Sequence, residues 1–276
     1  MISIPTNISS LETQKNLGKN QALLQRSFNR LSSGFRINTA ADDAAGLAIS
    51  EGMKSQIRSY VVAERNANDA ISMTQTGEGA LSNVQDIVVR MRELATQAAN
   101  GSYTSTDRSY MDTEYQALKQ ELNRLQGAAK FNGKQLLQAT ATVITFQIGL
   151  NAVTSDQLAV TFGGFAMTAL LATSNTLAGA TAGSALAALG TIDTAMGQIS
   201  TQRAKYGAAM NRLEVVTSSI QTMRLNISAA NSRIRDVDIA EESSLLARNQ
   251  VLTQAGVSVL AQANQIPNMA LNLLGG

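Results

Sequence analysis

Between residues 189 and 237 the apolar positions keep a fixed interval: Ile192, Ile199, Tyr206, Leu213, Ile220, Ile227 and Ile234 recur every seven residues. A companion column, Leu189, Met196, Met210, Val216, Met223 and Ala230, is interrupted by Arg203, Thr217 and Arg224. Seven residues are nearly two helical turns, so each column stays on one face and predicts a coiled-coil-like helix over about 185–237. A second long helix is predicted over about 42–99. There Leu81, Val84, Val88, Met91, Ala95 and Ala98 alternate steps of three and four, and Ile49, Met53, Ile57 and Tyr60 continue the face upstream. Thr39 followed by Asp42 reads as a capping-box-like start, with Asp42 and Asp43 at the positive end of the helix dipole, and Asn100-Gly101-Ser102 ends the helix. Met111, Tyr115, Leu118, Leu122 and Leu125 predict a third helix over about 104–128, closing near Gly127.

The helical period stops between about 139 and 190. From Thr142 to Ile148 and from Leu158 to Phe162 the β-prone residues alternate, which predicts a hairpin, and Gly163-Gly164 with the Ala/Thr/Gly stretch to Gly190 reads as loop at an exposed edge. Helices of roughly 60 to 80 Å exceed the diameter of about 50 Å expected of a compact chain of this length. The expected fold is therefore mainly α: an elongated rod of long antiparallel coiled-coil-like helices with a small β-hairpin.

The two ends differ from the middle. Residues 4 to 35 place Ile4, Ile8, Leu11, Leu24, Phe28, Leu31 and Phe35 among few charges. From Ser243 to Gly276 one charged residue, Arg248, stands beside eight Asn or Gln and many apolar side chains. A lone helix of that composition leaves an apolar face in water, so each end is expected to find the other and then neighbouring copies. The assembly residues so marked are Leu24, Phe28, Leu31 and Phe35 at one end, and Leu252, Val259, Leu260, Ile266, Leu271 and Leu273 at the other.

Composition narrows the chemistry. The 276 residues include no His, Cys or Trp. Without imidazole or thiol there is no Ser-His triad, thiol nucleophile or ordinary zinc site, and the expectation is a noncatalytic protein without cofactor. A net charge of +2 with 15 % charged residues is too small and mixed for a nucleic-acid surface. No apolar run is long enough to span a membrane, and the first residues carry no cleavable-signal pattern. Asp42-Asp43 and Glu241-Glu242 are the best carboxylate pairs. Adjacent helical residues point about 100° apart, so both pairs read as helix starts and solvated faces rather than metal or acid-base sites. Gly77-Glu78-Gly79 lacks phosphate-loop spacing and reads as a helix irregularity.

Leu31-Ser32-Ser33-Gly34-Phe35-Arg36-Ile37-Asn38 and Asp42-Asp43-Ala44-Ala45-Gly46-Leu47-Ala48-Ile49 resemble the amino-terminal signature of bacterial flagellin, and Ser258-Val259-Leu260-Ala261-Gln262-Ala263-Asn264-Gln265 resembles its carboxyl-terminal one. The resemblance implies a structural subunit of the flagellar filament, in a short form lacking large outer domains. It implies an inner helical domain of residues 1–43 with 239–276 around a channel, and an outer rod domain over 44–238. It also implies export in unfolded form by the flagellar type III pathway, an export chaperone on the carboxyl-terminal helix, and cap and hook-junction proteins as partners of the homopolymer. Arg90, Arg92, Glu93, Leu94 and Gln97, with Glu114 on the next helix, resemble the stretch by which a vertebrate innate immune receptor recognises many flagellins. Packing and assembly are the plainer reading of those residues.

Two alternatives share these features. A hook-filament junction protein has the same terminal-helix plan and would fail to grow long filaments. A membrane-active amphipathic translocator usually carries Lys or Arg on its polar face with Trp nearby, which the carboxyl-terminal segment lacks.

Overall fold

The structure, a computed structural model, describes residues 7–164, 167–179 and 181–274, without the side chains of 168 and 266–274. Among the described residues six α-helices and four strands follow in order: α1 (Ile8–Ser33), α2 (Ala44–Ala98), α3 (Ser105–Ala128), β1 (Lys130–Phe131), β2 (Lys134–Gln135), β3 (Thr142–Gln147), β4 (Gln157–Phe162), α4 (Thr168–Leu171), α5 (Gly183–Arg235) and α6 (Ile239–Leu274). They form two compact units, Met1–Ile57 with Leu225–Gly276, and Arg58–Arg224.

In Arg58–Arg224 the seven-residue column of α5 is the spine of the core. Ile192, Ile199, Tyr206 and Leu213 are buried in one cluster with Leu81, Val84, Val88, Met91, Ala95 and Ala98 of α2 and Tyr115 and Leu122 of α3, and Ile220 is buried further along the same column. The polar breaks in the companion column have a use. Arg203 grips Glu78 at 2.6 Å and Arg224 reaches Glu64 at 2.6 Å, so both arginines tie α5 to α2. Such half-exposed pairs add little stability, but they fix which residues of two long helices lie side by side. The helix α2 runs unbroken through Gly77-Glu78-Gly79, contrary to the expected irregularity. Gly77 is there for space: a Cβ would lie 3.1 Å from the ring of Tyr206.

Three details of α2 also depart from the sequence expectation. Its first residue is Ala44, and Asp43 caps it by accepting from the Gly46 amide at 2.9 Å. Thr39 and Asp42 instead close the turn before it, the Asp42 carboxylate accepting from the Thr39 amide and hydroxyl, which holds its pKa below the usual carboxylate value. Ile49 is 52 % exposed and does not continue the buried face. At the other end Arg108, buried, donates from Nε to the Ala98 carbonyl at 2.9 Å and so satisfies an acceptor that the helix end leaves open.

The hairpin forms as the alternation predicts. β3 and β4 pair antiparallel with Thr142 opposite Phe162, Ile144 opposite Val160 and Phe146 opposite Leu158, so the set Thr142, Ile144 and Phe146 meets the buried Leu158, Val160 and Phe162. Asn66 of α2 donates to the Gln147 carbonyl at 2.9 Å and Gln202 of α5 to the Thr161 carbonyl at 2.7 Å. A second, smaller hairpin joins β1 to β2. Its turn is Asn132-Gly133, both at positive φ, the pattern that two-residue hairpin turns require.

The segment after Gly163-Gly164 is not exposed loop. Met167, Leu170 and Leu177 are buried, and α4 and the early start of α5 replace part of the expected coil. A polar clasp on α3 holds the segment down. Lys119 Nζ donates to the carbonyls of Ala172 at 2.7 Å and Asn175 at 2.8 Å, Tyr115 donates its hydroxyl to Asn175 Oδ1 at 3.1 Å, and Asp112 accepts from the Leu177 amide at 2.7 Å.

Replacing Lys119 by Met removes the donor for both carbonyls and is expected to cost about 1–3 kcal/mol, measurable by urea denaturation. The clasp also predicts an alkaline transition. Burial pushes the Tyr115 hydroxyl up to about 12, and lowers the Lys119 ammonium from its ordinary 10.5. The unfolded lysine holds its proton longer than the folded one, so its contribution rises with pH and is complete near 10.5. The unfolded tyrosine ionises first, so between pH 10 and about 12 its contribution is lost. Above the lysine range, therefore, stability falls as pH rises. Stepped thermal melts with tyrosinate absorbance test this, and ionisation of Tyr115 near pH 10 in the folded chain would contradict it.

Candidate assembly interface

The terminal helices α1 and α6 lie antiparallel. Asn7 Nδ2 donates to the Ala263 carbonyl at 2.7 Å, Ser10 Oγ to Asn264 Oδ1 at 2.7 Å, and Arg30 Nη1 to Glu242 at 3.4 Å. Leu17 sits over Gly256, where a Cβ would come within 3.3 Å of its methyl. These contacts fix a single register along the pair. What the pair buries is mostly polar: Ser10, Ser27, Glu242 and Asn249, with Ala263. Glu242, read from the sequence as part of a helix start and solvated face, is 5 % exposed and paired with Arg30.

The apolar side chains of the pair mostly point away. Phe28 is 46 % exposed, Leu252 40 % and Val259 49 %, while Leu24, Leu31 and Leu260 are half-buried. Ile8, Leu11, Leu23, Leu245, Val251 and Val257 are exposed too. Ile266, Leu271 and Leu273, also singled out in the sequence, have side chains outside the described residues.

The chain between α1 and α2 is tied to the end of α5. Gly34, at φ 74°, ends α1 in the left-handed conformation and its carbonyl accepts from the Val237 amide at 3.1 Å. Phe35 bridges Asp236 through backbone, and the Arg235 guanidinium lies 4.6 Å above the Phe35 ring while also pairing with Glu51. Phe35 is thus partly engaged within its own copy. Ile37, 1 % exposed, is the one large apolar side chain fully enclosed in this unit among the described residues.

The stretch around Arg90 forms a charged ridge on the other unit. Arg90 pairs with Glu114 at 2.8 Å and Glu93 at 2.9 Å, and Arg92 with Asp193 at 2.8 Å. Gln97 donates to the Tyr103 hydroxyl at 3.3 Å. Leu94 is 3 % exposed and belongs to the core, so it takes no part in that surface. Among the described residues no group of three or more acidic side chains is placed to hold a metal, and no helix is long and apolar enough to cross a membrane.

Comparison with known proteins accounts for both ends. The bacterial flagellin N-terminal helical region matches residues 4–142, and the bacterial flagellin C-terminal helical region matches 189–274. The chain belongs to the bacterial flagellin family. It is 40 % identical to flagellin of Bacillus subtilis (strain 168), over 97 % of this chain and 98 % of that protein. It is 39 % identical to the flagellar filament 33 kDa core protein of Treponema phagedenis, again over 97 % and 98 %. A putative flagellar hook-associated protein from Vibrio parahaemolyticus shares the fold, with a TM-score of 0.58 at 15 % identity over 71 % of this chain and 100 % of that one. As a flagellin the chain is a structural subunit of the flagellar filament and is located outside the cell. The unmatched stretch, 143–188, contains most of the β3–β4 hairpin and α4.

The apolar residues of the terminal pair stand out in the sequence by their spacing and the scarcity of charge around them, whereas the polar residues that set its register, Asn7, Ser10, Arg30 and Glu242, carry no such signal. Glu242→Ala leaves Arg30, whose side chain is 23 % exposed, without its carboxylate. Loss of a fully buried partner costs about 3–5 kcal/mol, and partial exposure of Arg30 reduces that to roughly 1–3. Amide exchange in α1 and α6 is expected to quicken accordingly, with Arg58–Arg224 unchanged.

Proposed function

We propose that the chain is a noncatalytic building block whose terminal helix pair completes its core only against other copies. One observation carries this reading: α1 and α6 enclose serines, Asn249 and an Arg30–Glu242 pair while leaving Phe28, Val251, Leu252 and Val259 in water. Each such side chain, once covered, contributes about 1.5–3 kcal/mol. Several together, from each of many neighbours, offset the entropy of ordering the ends. Residues 1–43 with 239–276 would then form the inner layer around a channel, and 44–238 the layer outside it. The near-absence of charge after Glu242 suits both roles, since the segment gains little by folding alone and much by packing.

By family resemblance, the subunit travels unfolded through the flagellar type III pathway, its carboxyl-terminal helix held by an export chaperone, and joins a polymer bounded by cap and hook-junction proteins. The polymer is passive: a motor at its base supplies torque, and the tube transmits it for swimming. Recognition of the Arg90, Arg92, Glu93, Gln97 and Glu114 ridge by a vertebrate innate immune receptor would be a consequence of that exposed surface rather than its purpose.

Removing about 35 residues from either end is expected to leave a soluble, folded chain that forms no filaments. Electron microscopy of full-length and truncated protein, with and without filament seeds, tests this. Long filaments from a truncated chain would overturn the mechanism, and short rings from the full chain would favour a hook-filament junction role.

A further inference from the structure

Ions are scarce on the terminal pair, and among the described residues Glu12, Lys15 and Lys19 of α1 and Glu241 and Arg248 of α6 make no ion pair. Arg248 is the one charged residue after Glu242, and Glu12 is the one carboxylate of α1. Neither makes an ion pair among the described residues. Arg248 lines a groove of about 340 Å³ together with Arg26, Arg30, Glu242, Leu245 and Leu252. Three guanidinium groups there face one carboxylate, and Arg30 already holds it at 3.4 Å. Arg26 reaches Asp42 only at 4.0 Å, and Arg30 Nε is buried without an acceptor. When Leu245 and Leu252 are covered by a neighbour, Arg248 and Arg26 lose water as well, which is costly unless a carboxylate arrives with the covering surface.

We propose that this groove receives Glu12 of a second copy of the chain. The inference rests on the assembly reading above and names one of its contacts. Most other carboxylates of this unit are committed within their own copy: Asp42 to Thr39, Asp43 to the Gly46 amide, Glu51 to Arg235, Asp238 to the start of α6, and Glu242 to Arg30. Glu241 sits in the first turn of α6, where the helix dipole favours it, and Asp236 follows Arg233 and Arg235 in the chain. Glu12 is exposed on α1 with no such role.

The geometry sets a stagger. Glu12 precedes Arg26 by fourteen residues on α1, close to four full turns, so a parallel copy displaced along the helix axis by roughly 20 Å has its Glu12 level with the groove, and a rotation of that copy about its axis turns the carboxylate toward it. Every copy then offers one acid and one groove to different neighbours. Such a contact is head-to-tail and does not close on itself, as an extending helical polymer requires.

The test uses full-length chain and its filaments. Glu12→Arg and Arg248→Glu are each expected to raise the concentration needed for polymerisation at least about tenfold, and the double exchange to restore it to within about threefold. Circular dichroism confirms that each monomer is folded. The chain has no cysteine, so a Glu12→Cys, Arg248→Cys chain in filaments, treated with a short bis-maleimide, should give a ladder beyond dimer that neither single variant gives. Single charge variants that polymerise like the unmodified chain, or an unrestored double exchange with no ladder, would overturn the pairing. In that event normal filaments from the unmodified chain would leave the assembly reading standing. Failure of the unmodified chain to polymerise would remove both.

Discussion

Two helices in contact can cover only one stripe of each other, and this limit separates the two units of the chain. In Arg58–Arg224 the α5 column is closed off by α2, α3 and the β3–β4 hairpin, so Tyr206, Leu213 and Ile199 have neighbours on every side. In the terminal unit α1 has α6 and little else, and the contact stripe itself is spent on Ser10, Ser27, Asn249 and Glu242. Hydrophobic burial therefore stabilises the first unit from within. The second is held by specific polar contacts in one register, and its apolar area stays available.

That division bears on how one sequence can fold as a single copy and still grow as a polymer. A terminal pair with a well-packed apolar interior would be satisfied alone and would present a polar outer face. Here Ser10, Ser27, Glu242 and Asn249 take the enclosed positions while Phe28, Val251, Leu252 and Val259 stay in water, which departs from the usual amphipathic arrangement. Asn and Gln in place of Lys and Glu keep the outer face hydrated without placing charges that each neighbour would have to neutralise.

How much of this was legible in the sequence follows from the range of each interaction. The α5 column, the α2 face from Leu81 to Ala98 and the β3–β4 alternation are periodic, and period survives in one dimension. The clasp does not. Lys119 lies 53 residues from Ala172 in the chain and Asp112 lies 65 from Leu177, so nothing in the Ala/Thr/Gly stretch itself announced that Leu170 and Leu177 are buried. Gly77 read as an irregularity because its reason, the Tyr206 ring, lies on another helix. Asn132-Gly133 carried a local turn signal that the closing helix pattern around Gly127 obscured. At the ends, scarcity of charge drew attention to apolar side chains that the structure leaves exposed, while the Arg30–Glu242 pair, 212 residues apart, left no trace.

The arginines of the chain sort by what they are near. Arg203 and Arg224 reach acids of a facing helix, Arg108 finishes a helix end, and Arg235 is shared between Phe35 and Glu51. Each has a fixed geometry because a guanidinium offers several donors in a rigid fork, so it orients what it joins as well as attracting it. Arg248 has the same fork and exposed apolar neighbours in Val251 and Leu252. A lysine there could stay in water at the rim, whereas a planar guanidinium beside a greasy strip is suited to being covered and to fixing the orientation of the group that covers it. In a segment with no other charge after Glu242, such a residue supplies direction: oily strips slide past one another at little cost, and a paired ion at the contact selects the register in which a copy is added.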